Sequence, residues 1–222
     1  MSSDLLKMLL TGTKETLYMV SISSIIALIL GVPIGVLLVV TDKGGIYPLV
    51  KVNKGIGILI NIIRSMPEMI LIIILLPVAK LIVGTTLGAN AAIISISIGS
   101  APLIARIIEN SLKEIEFGKI EAAEAMGATT FEIIRKVLIP EALPSIIRGI
   151  TIAIIGIVGF TAIAGAIGAG GLGSLAIRFG YQRFRTDVLI GTVLILLLIV
   201  QSVQVIGDLI ARLINKKRYK FE

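Results

Sequence analysis

"TLYMVSISSIIALILGVPIGVLLVV" occupies residues Thr16–Val40 and contains no charged residue. A helix needs about 20 apolar residues to cross the hydrocarbon layer of a bilayer, and this run is longer than that. No side of the run carries the polar residues that a surface helix turns toward water. The run therefore predicts a membrane-spanning helix, and it determines the fold class expected for the rest of the chain.

The other apolar runs repeat this pattern along a chain of 222 residues with 56% hydrophobic residues and a mean hydropathy of +1.03. A soluble domain of this size carries more charge, and a soluble all-α core would need polar helix faces that these runs lack. We therefore predict an all-α integral membrane protein with one transmembrane domain over residues 1–222. Its five spans are expected near residues 17–40, 67–84, 87–106, 149–169 and 187–210.

The amino-acid composition excludes several kinds of chemistry. The chain has no Cys and no His, so it forms no disulfide and offers no thiolate or imidazole for catalysis or for a metal site. We accordingly predict no catalytic residue, no metal ligand and no cofactor bound by this chain.

The net charge of +7 is distributed as an orientation signal and not as a nucleic-acid footprint. Of the 21 Lys and Arg residues, 15 lie in the segments 41–66, 106–148 and the tail after residue 210. Positively charged loops stay on the cytoplasmic side of a membrane. The pattern predicts an N-terminus outside and a C-terminus in the cytoplasm, a lipid membrane as partner, and no nucleic acid.

Small and polar residues in the spans indicate helix–helix contacts. Gly31 and Gly35 flank Pro33 in the first span, and this spacing allows another helix to come close. The fourth span carries small residues at three-residue steps, which predicts a second close contact: Gly156, Gly159, Ala162, Gly165 and Gly168. The third span contains Ser95, Ser97 and Ser100, which suits a helix that faces protein or a wet cavity.

Four residues are candidates for a translocation pathway or gate. Glu68 is a carboxylate near the membrane edge, where a charge needs a partner or water. Arg64 lies four positions earlier, so an interfacial ion pair is the first interpretation of Glu68 and a gating role is the second. Phe160 and Thr161 interrupt the fourth span and, with Ile163, could line a cavity, although packing is the alternative.

The stretch Gly168–Gly173 matches the glycine pattern of dinucleotide-binding sites, and Asp187 follows at about the expected distance. That pattern requires a preceding β-strand, whereas a glycine-spaced membrane helix precedes it here. We therefore predict no nucleotide site at these glycines.

A polar insert separates the third and fourth spans and includes "EAAEAMGATTFEIIRKVLIP", residues 121–140. Lys119–Met126 is rich in Ala and Glu, which favour helix, and Gly127 suits the left-handed residue that ends a helix. Thr129–Glu132 has the spacing of a capping box, which predicts the start of a second helix.

Pro140 and Pro144 are expected to end that second helix, because proline clashes with a continuing helical turn. The insert would then form two short helices outside the bilayer, with the apolar residues Met126, Phe131 and Ile134 kept out of the membrane. A solvated loop is the alternative, but a compact unit with exposed apolar residues is more typical of a docking surface. Ala122 and Ala123 are expected to lie on a flat face of this unit.

The spacing of this insert resembles the "EAA" loop of ABC importer permeases. Glu121 opens the motif, Gly127 follows the alanines after three residues, and nine more residues lead to a closing segment in which Val137 and Ile139 depart mildly from the family pattern. In that family the loop forms coupling helices that dock on a separate cytoplasmic ATPase. The resemblance implies a cytoplasmic segment at 107–148 and these coupling residues: Glu121, Ala122, Ala123, Gly127, Ala128, Val137, Ile139 and Pro140.

Three longer stretches resemble the permease subunits of methionine-uptake ABC transporters: "RSMPEMILIIILLPVAKLIVGTTLG", "GSAPLIARIIENSLKEIEFG" and "GAIGAGGLGSLAIRFGYQRF". The likeness covers roughly residues 8–215, and Glu68 departs from the apolar or aromatic residue of many relatives. It implies a type I importer fold, a homodimer, two ATPase subunits that carry ATP and Mg²⁺, an extracytoplasmic substrate-binding lipoprotein, and the bacterial inner membrane.

Three alternatives stay open at this point. The cargo could be another amino acid or small solute, or the chain could be a self-contained secondary transporter or channel. The second of these is disfavoured because the spans hold few ionisable groups and no His for a proton relay. A membrane enzyme is the third, and no convergent catalytic set supports it.

Overall fold

The computed structural model describes residues 3–218, and every regular element in that range is helical. Nine α-helices follow one another in the described chain, with π-helical turns at Ile134–Leu138 and Ala176–Tyr181. The helices are α1 (Ser3–Val40), α2 (Val50–Arg64), α3 (Glu68–Val83), α4 (Ala89–Lys113), α5 (Phe117–Ala125), α6 (Thr130–Ile133), α7 (Ile139–Ala166), α8 (Gly171–Leu175) and α9 (Thr186–Arg218).

The predicted all-α membrane fold is confirmed, with one span broken. In the described part of the chain, four helical stretches are each long and apolar enough to cross a membrane: Asp4–Val40, Ala89–Lys113, Thr130–Ala166 and Thr186–Asn215. The α2 and α3 helices meet this criterion only together, and they are bent by 111°.

The second span predicted near residues 67–84 is therefore one arm of a bent pair. α3 has 16 residues, or about 24 Å at about 1.5 Å per residue, which is less than the hydrocarbon thickness of about 30 Å. Pro67 precedes α3 with an extended backbone (φ −57°, ψ 135°), and this conformation interrupts the helix between the two arms.

α1 begins earlier than the uncharged run predicts, at Ser3. Its first turns pack on the outer part of the bundle, where Leu5 and Leu9 are buried with Leu172 and Val188. The side chains of Glu15 and Thr16 also accept hydrogen bonds from the first amides of α8, at 2.6 Å from Gly171 N and 2.9 Å from Leu172 N. This end of α1 is helical because α8 and α9 bury it.

α4 is the central helix of the bundle and packs against α1, α3 and α7. Its serines Ser95, Ser97 and Ser100 are buried, and the Ser97 hydroxyl donates to the Ile93 carbonyl at 2.6 Å. A helix surrounded by other helices does not have to present an apolar surface to lipid. The prediction that the third span faces protein is confirmed.

The contact between α1 and α4 is a close approach of two backbones. A Cβ built at Gly31 would lie 2.7 Å from the Cβ of Ile104, and one at Gly35 would lie 2.6 Å from the Cβ of Ile108. No side chain fits at either position without moving α1 away from α4. The predicted small-residue contact of the first span is confirmed, and its partner is α4.

The helix that begins at Thr130 continues through Pro140 and Pro144. The expectation that these prolines end it is therefore wrong. Helix runs from Thr130 to Ala166, through α6, a π-helical turn and α7. In the π turn the Ile139 amide bonds to the Ile134 carbonyl, five residues back. The wider turn leaves room before Pro140, whose ring would otherwise meet a carbonyl of the preceding turn.

Gly168 and Gly170 connect α7 to α8 with φ of 97° and 89°, values that residues other than glycine rarely adopt. This turn folds α8 back on α7 so tightly that a Cβ on Gly173 would lie 2.5 Å from the Cα of Ala162. The element before these glycines is the helix α7, as the sequence predicts, and not the strand that a nucleotide-binding fingerprint requires.

We predict that Gly35→Ala lowers the stability of the bundle, because the added methyl group would collide with Ile108. Overpacking of this kind costs about 1–3 kcal/mol, and the thermal unfolding of the detergent-solubilised protein measures it. Gly55→Ala in α2 is the control, since a Cβ there meets nothing within 4 Å. Equal unfolding temperatures for the two variants would contradict the close contact.

Candidate functional site

The candidate site is the insert between α4 and α7, and its first helix ends as the sequence predicts. After α5, Gly127 adopts a left-handed backbone with φ of 80°. Its amide donates to the Glu124 carbonyl at 2.8 Å, and the Ala128 amide donates to the Ala123 carbonyl at 3.1 Å. This pair of bonds is the Schellman arrangement, which satisfies the last carbonyls of a helix and turns the chain sharply.

The next helix begins with the predicted capping box. The Thr129 hydroxyl accepts from the Glu132 amide at 3.4 Å, and the Thr129 amide donates to the Glu132 carboxylate at 3.1 Å. Lys136 adds an ion pair to the same carboxylate at 2.8 Å. These contacts stabilise the start of α6, so Gly127 is a joint between two stable helix ends.

The segment is anchored to the rest of the protein by a small apolar cluster. Ala123, Ile133 and Leu138 are each at most 5% exposed and belong to the main core. The structure therefore differs from the expectation at Ala123, which faces inward, whereas Ala122 and Glu121 are exposed. Of the other residues that the resemblance implies, Gly127, Ile139 and Pro140 are exposed, and Ala128 and Val137 are half-buried.

Large apolar side chains surround these exposed positions. Phe117, Met126 and Phe131 are 55%, 82% and 67% exposed, whereas Ile134 is half-buried. Exposed apolar groups that cluster among charged residues indicate a contact surface. Phe117 was not predicted as part of this surface, although its position four residues before Glu121 places it on the same side of α5.

One cavity of about 460 Å³ lies at the opposite end of the bundle, and another of about 400 Å³ lies beside α5. The second lies between α5, where Phe117 and Ile120 line it, and the turn after α1, where Asp42 and Ile46 line it. α5 is therefore anchored at its C-terminal end and through Ala123, and its first turns border this open cavity.

The candidate pathway residues do not form one exposed group within a single chain. Phe160 and Thr161 are 6% and 1% exposed, and the Thr161 hydroxyl donates to the Val158 carbonyl at 2.7 Å. The Phe160 ring faces α4 near Gly99. Ile163 is half-buried and Glu68 is exposed in the first turn of α3, where a helix N-terminus favours a carboxylate.

The predicted ion pair between Arg64 and Glu68 is absent from the ion pairs of residues 3–218. The four-residue spacing would bring the two side chains together only on a continuous helix. The chain instead bends by 111° between α2 and α3, so that interpretation of Glu68 is wrong.

No group of three or more acidic side chains in the described range is arranged to hold a metal ion. The surface of the insert offers exposed apolar side chains and several exposed carboxylates, among them Glu121 and Glu124, and such groups are means of binding a protein.

Comparison with known proteins gives the family. Residues 27–220 match the family described as the binding-protein-dependent transport system inner membrane component. The chain belongs to this family. It is therefore a multi-pass inner-membrane permease component of an ABC importer, and the resemblance found in the EAA-like loop is confirmed.

Individual permeases of this family resemble the chain over most of its length. The probable D-methionine transport system permease protein MetI of Vibrio cholerae is 45% identical over 98% of this chain and 95% of its own. The methionine import system permease protein MetP of Bacillus subtilis is 50% identical over 93% of each chain. Both likenesses include the insert between α4 and α7, since they cover 217 and 206 of the 222 residues.

A solved permease structure has the same fold. A chain of the MetNI methionine ABC transporter in inward-facing conformations superposes with a TM-score of 0.94 at 42% identity, covering 96% of this chain and 99% of that one. A chain of an amino acid ABC transporter with histidines superposes with a TM-score of 0.75 at 21% identity, which extends the fold to a more distant transporter.

We predict that Gly127→Ala loosens the joint between α5 and α6. A left-handed conformation costs a residue with a Cβ about 1–2 kcal/mol, so the last amides of α5 should exchange hydrogen faster in mass spectrometry. Gly118→Ala, also in the α5 helix and in open space, is the matched control and should slow exchange or leave it unchanged. Identical exchange in the two variants would refute the role of Gly127 as a joint.

Proposed function

We propose that this chain is the permease subunit of an ATP-driven importer of methionine. The observation that carries the proposal is the capped, exposed helix pair around Gly127 in a chain that resembles named methionine permeases over nearly its whole length. Another amino acid or small solute is the alternative cargo, and competition for uptake separates the two.

The proposed orientation places the N-terminus outside and the insert and C-terminus in the cytoplasm. An odd number of crossings, with α2 and α3 as one bent span, puts the two ends of the chain on opposite sides. The excess of Lys and Arg in segments 41–66, 106–148 and the tail supports this assignment over its reverse.

The proposed assembly is a homodimer of this chain with two ATPase subunits, which carry ATP and Mg²⁺, and an extracytoplasmic substrate-binding lipoprotein. Part of the small-residue strip of α7 supports the homodimer, since a Cβ at Gly156 or Gly159 would meet nothing within 4 Å. These two glycines have no close neighbour inside the chain, and a two-fold symmetric contact would bury them.

The proposed coupling mechanism uses the outward side of the insert. Glu121, Ala122 and the exposed Phe117 would dock on the ATPase, and closure of the ATPases would displace α5 and the Gly127 joint. Because α6, the π turn that contains Val137, and α7, which contains Pro140, form one helix, a displacement at Thr130 would reach the membrane span directly. Such a two-state change would alternate access between the two sides.

The proposed pathway contains Glu68, Phe160, Thr161 and Ile163. Glu68 and Ile163 have exposed surface within one chain, whereas Phe160 and Thr161 are enclosed by α4 and their own helix. Their participation would require that α7 moves relative to α4 during transport. Such a movement is what the lever formed by α6 and α7 would supply.

Proteoliposomes containing this chain and its ATPase test the function. We expect uptake of labelled methionine that depends on ATP and on the binding protein, and that unlabelled methionine suppresses. Liposomes with the permease alone should show no flux. Flux without the ATPase would replace the proposal with a self-contained transporter, and suppression only by a different amino acid would reassign the cargo.

Replacement of the exposed alanine tests the docking surface. Ala122→Trp adds a bulky side chain to the outward side of α5, and overpacking of an interface costs about 1–3 kcal/mol. The amount of ATPase that co-purifies should fall on the order of tenfold. Ala166→Trp, at an exposed alanine near the other end of α7, is the control and should leave the yield unchanged.

A further inference from the structure

A buried carboxylate lies between two cations on α4, one turn before the insert. Glu109 is 5% exposed. One of its oxygens accepts from Arg106 Nη1 at 2.6 Å, and the other accepts from Lys113 Nζ at 2.9 Å. Both carboxylate oxygens are therefore engaged by positive charges from the same helix, one on each side.

Each of these cations also reaches a different part of the polypeptide. Arg106 Nη2 donates to the Gly57 carbonyl at 3.2 Å and to the Asn61 side chain at 2.9 Å, both in α2. Lys113 Nζ forms an ion pair with Asp42 at 2.7 Å, in the turn between α1 and α2. Glu109 thus orients two cationic side chains, here called its two arms. The Lys113 arm binds the turn after α1, and the Arg106 arm binds α2, the helix that follows this turn.

The ion pair between Lys113 and Asp42 is formed by groups that are both ionised at neutral pH. The hydrogen bond from Lys113, together with one from the Lys43 backbone amide, holds the pKa of Asp42 below its ordinary value. Hydrogen bonds between charged groups are stronger than neutral ones. Asp42 is half-buried, so solvent screens the contact only in part.

α2 has little apolar packing that would hold it in place instead. Ile60 is its one buried residue in the described structure, and it packs with Leu38 and Ala105. Half-buried Ile56 packs against the same cluster, and Asn53 ties α2 to the end of α1 by donating to the Leu38 carbonyl at 2.6 Å and to the Thr41 hydroxyl at 3.1 Å. The two hydrogen bonds of Arg106 are the polar contacts between α2 and α4 in the described structure, beside this small apolar contact.

The location of this cluster connects the insert with the bent span. Three residues join the end of α4 to α5, and three residues join α2 to α3, which carries Glu68. We propose that Glu109 is a positioning residue that makes α2 follow α4, so that displacement of α5 by the ATPase reaches α3 as well as α7. This inference rests on the proposed function as an ATP-driven permease.

A merely stabilising cluster would behave differently. Buried ion pairs often add little net stability, because desolvation offsets the attraction, but they fix one arrangement of the groups they join. Loss of a stabilising cluster would lower the amount of folded protein, but each folded molecule would still couple transport to ATP hydrolysis. Loss of a mechanical connection would leave the folded protein able to stimulate ATP hydrolysis but would reduce the transport obtained from it.

The deciding variant is Glu109→Gln, which keeps the shape of the side chain and removes the charge that orients both cations. In proteoliposomes containing the ATPase and binding protein, we expect solute transported per ATP hydrolysed to fall at least about fivefold, the lower range of coupling between sites, with hydrolysis retained. Asp187→Asn is the control, since it breaks an ion pair to Arg185 of 2.6 Å far from α2. It should leave the ratio unchanged.

A covalent link tests the same idea by rescue. The chain has no cysteine, so Ile60→Cys with Ala105→Cys introduces the only thiols, and oxidation would join α2 to α4. We expect the link to be tolerated by the native protein and to restore the ratio in Glu109→Gln. A link that stops transport in the native background would overturn the inference, because α2 would then have to move against α4.

Two further outcomes separate this inference from the proposed function. If the native complex shows no ATP-dependent uptake, the proposed function fails. If it transports and Glu109→Gln keeps the native ratio, the inference alone fails. If Glu109→Gln does not fold, Asp42→Asn is the alternative variant, because it removes only the ion pair between Lys113 and Asp42. An unchanged ratio of solute transported to ATP hydrolysed in that variant would also overturn the inference.

Discussion

The bundle depends on the close approach of α1 to α4. Lipid tails are as apolar as the side chains of these helices, so exclusion from water does not drive the spans together. Contact between surfaces must do so, and Gly31 and Gly35 allow the backbone of α1 to reach Ile104 and Ile108. α4 is enclosed as a result, and an enclosed helix tolerates the serines and the buried Glu109 that lipid would not.

The insert is built from local interactions that require no membrane. Gly127 ends one helix, and the capping box at Thr129 begins the next, so the chain turns sharply between two satisfied helix ends. The second helix also continues beyond the insert. The π turn before Pro140 allows it to pass into α7, so the short helix after Gly127 forms the end of one long helix that can cross a membrane.

The bent pair of α2 and α3 is the least self-sufficient part of the fold. α3 is too short to cross a hydrocarbon layer, and α2 buries one residue. α2 is held in part by the Arg106 side chain of α4, and Lys113 of α4 binds Asp42 in the turn before it, so these charged contacts lie next to the insert. Polar contacts are directional, and they therefore specify a position where apolar packing alone would permit sliding.

Much of this arrangement was predictable because it depends on neighbouring residues. The membrane class, the end of α5 at Gly127, the capping box and the glycine contact of α1 all follow from composition or from spacing within a few residues. Prolines were less predictable: Pro140 was expected to end a helix, since its clash is local, but the relief of that clash by a wider turn is not visible in the sequence. The pairing of Arg64 with Glu68 failed for the same reason, because a bend removed the spacing on which it depended.

The sequence by itself determined that this chain crosses a membrane and carries an exposed, capped helix pair, because hydropathy and capping are properties of short segments. Only the tertiary structure decided which side chains face inward, as for Ala123 and Phe160, and which charges meet, as for Glu109 with its two cations and Asp42 with Lys113. The physical reason is that burial and ion pairing are set by helices distant in the chain. Their relative positions follow from packing that no single segment encodes.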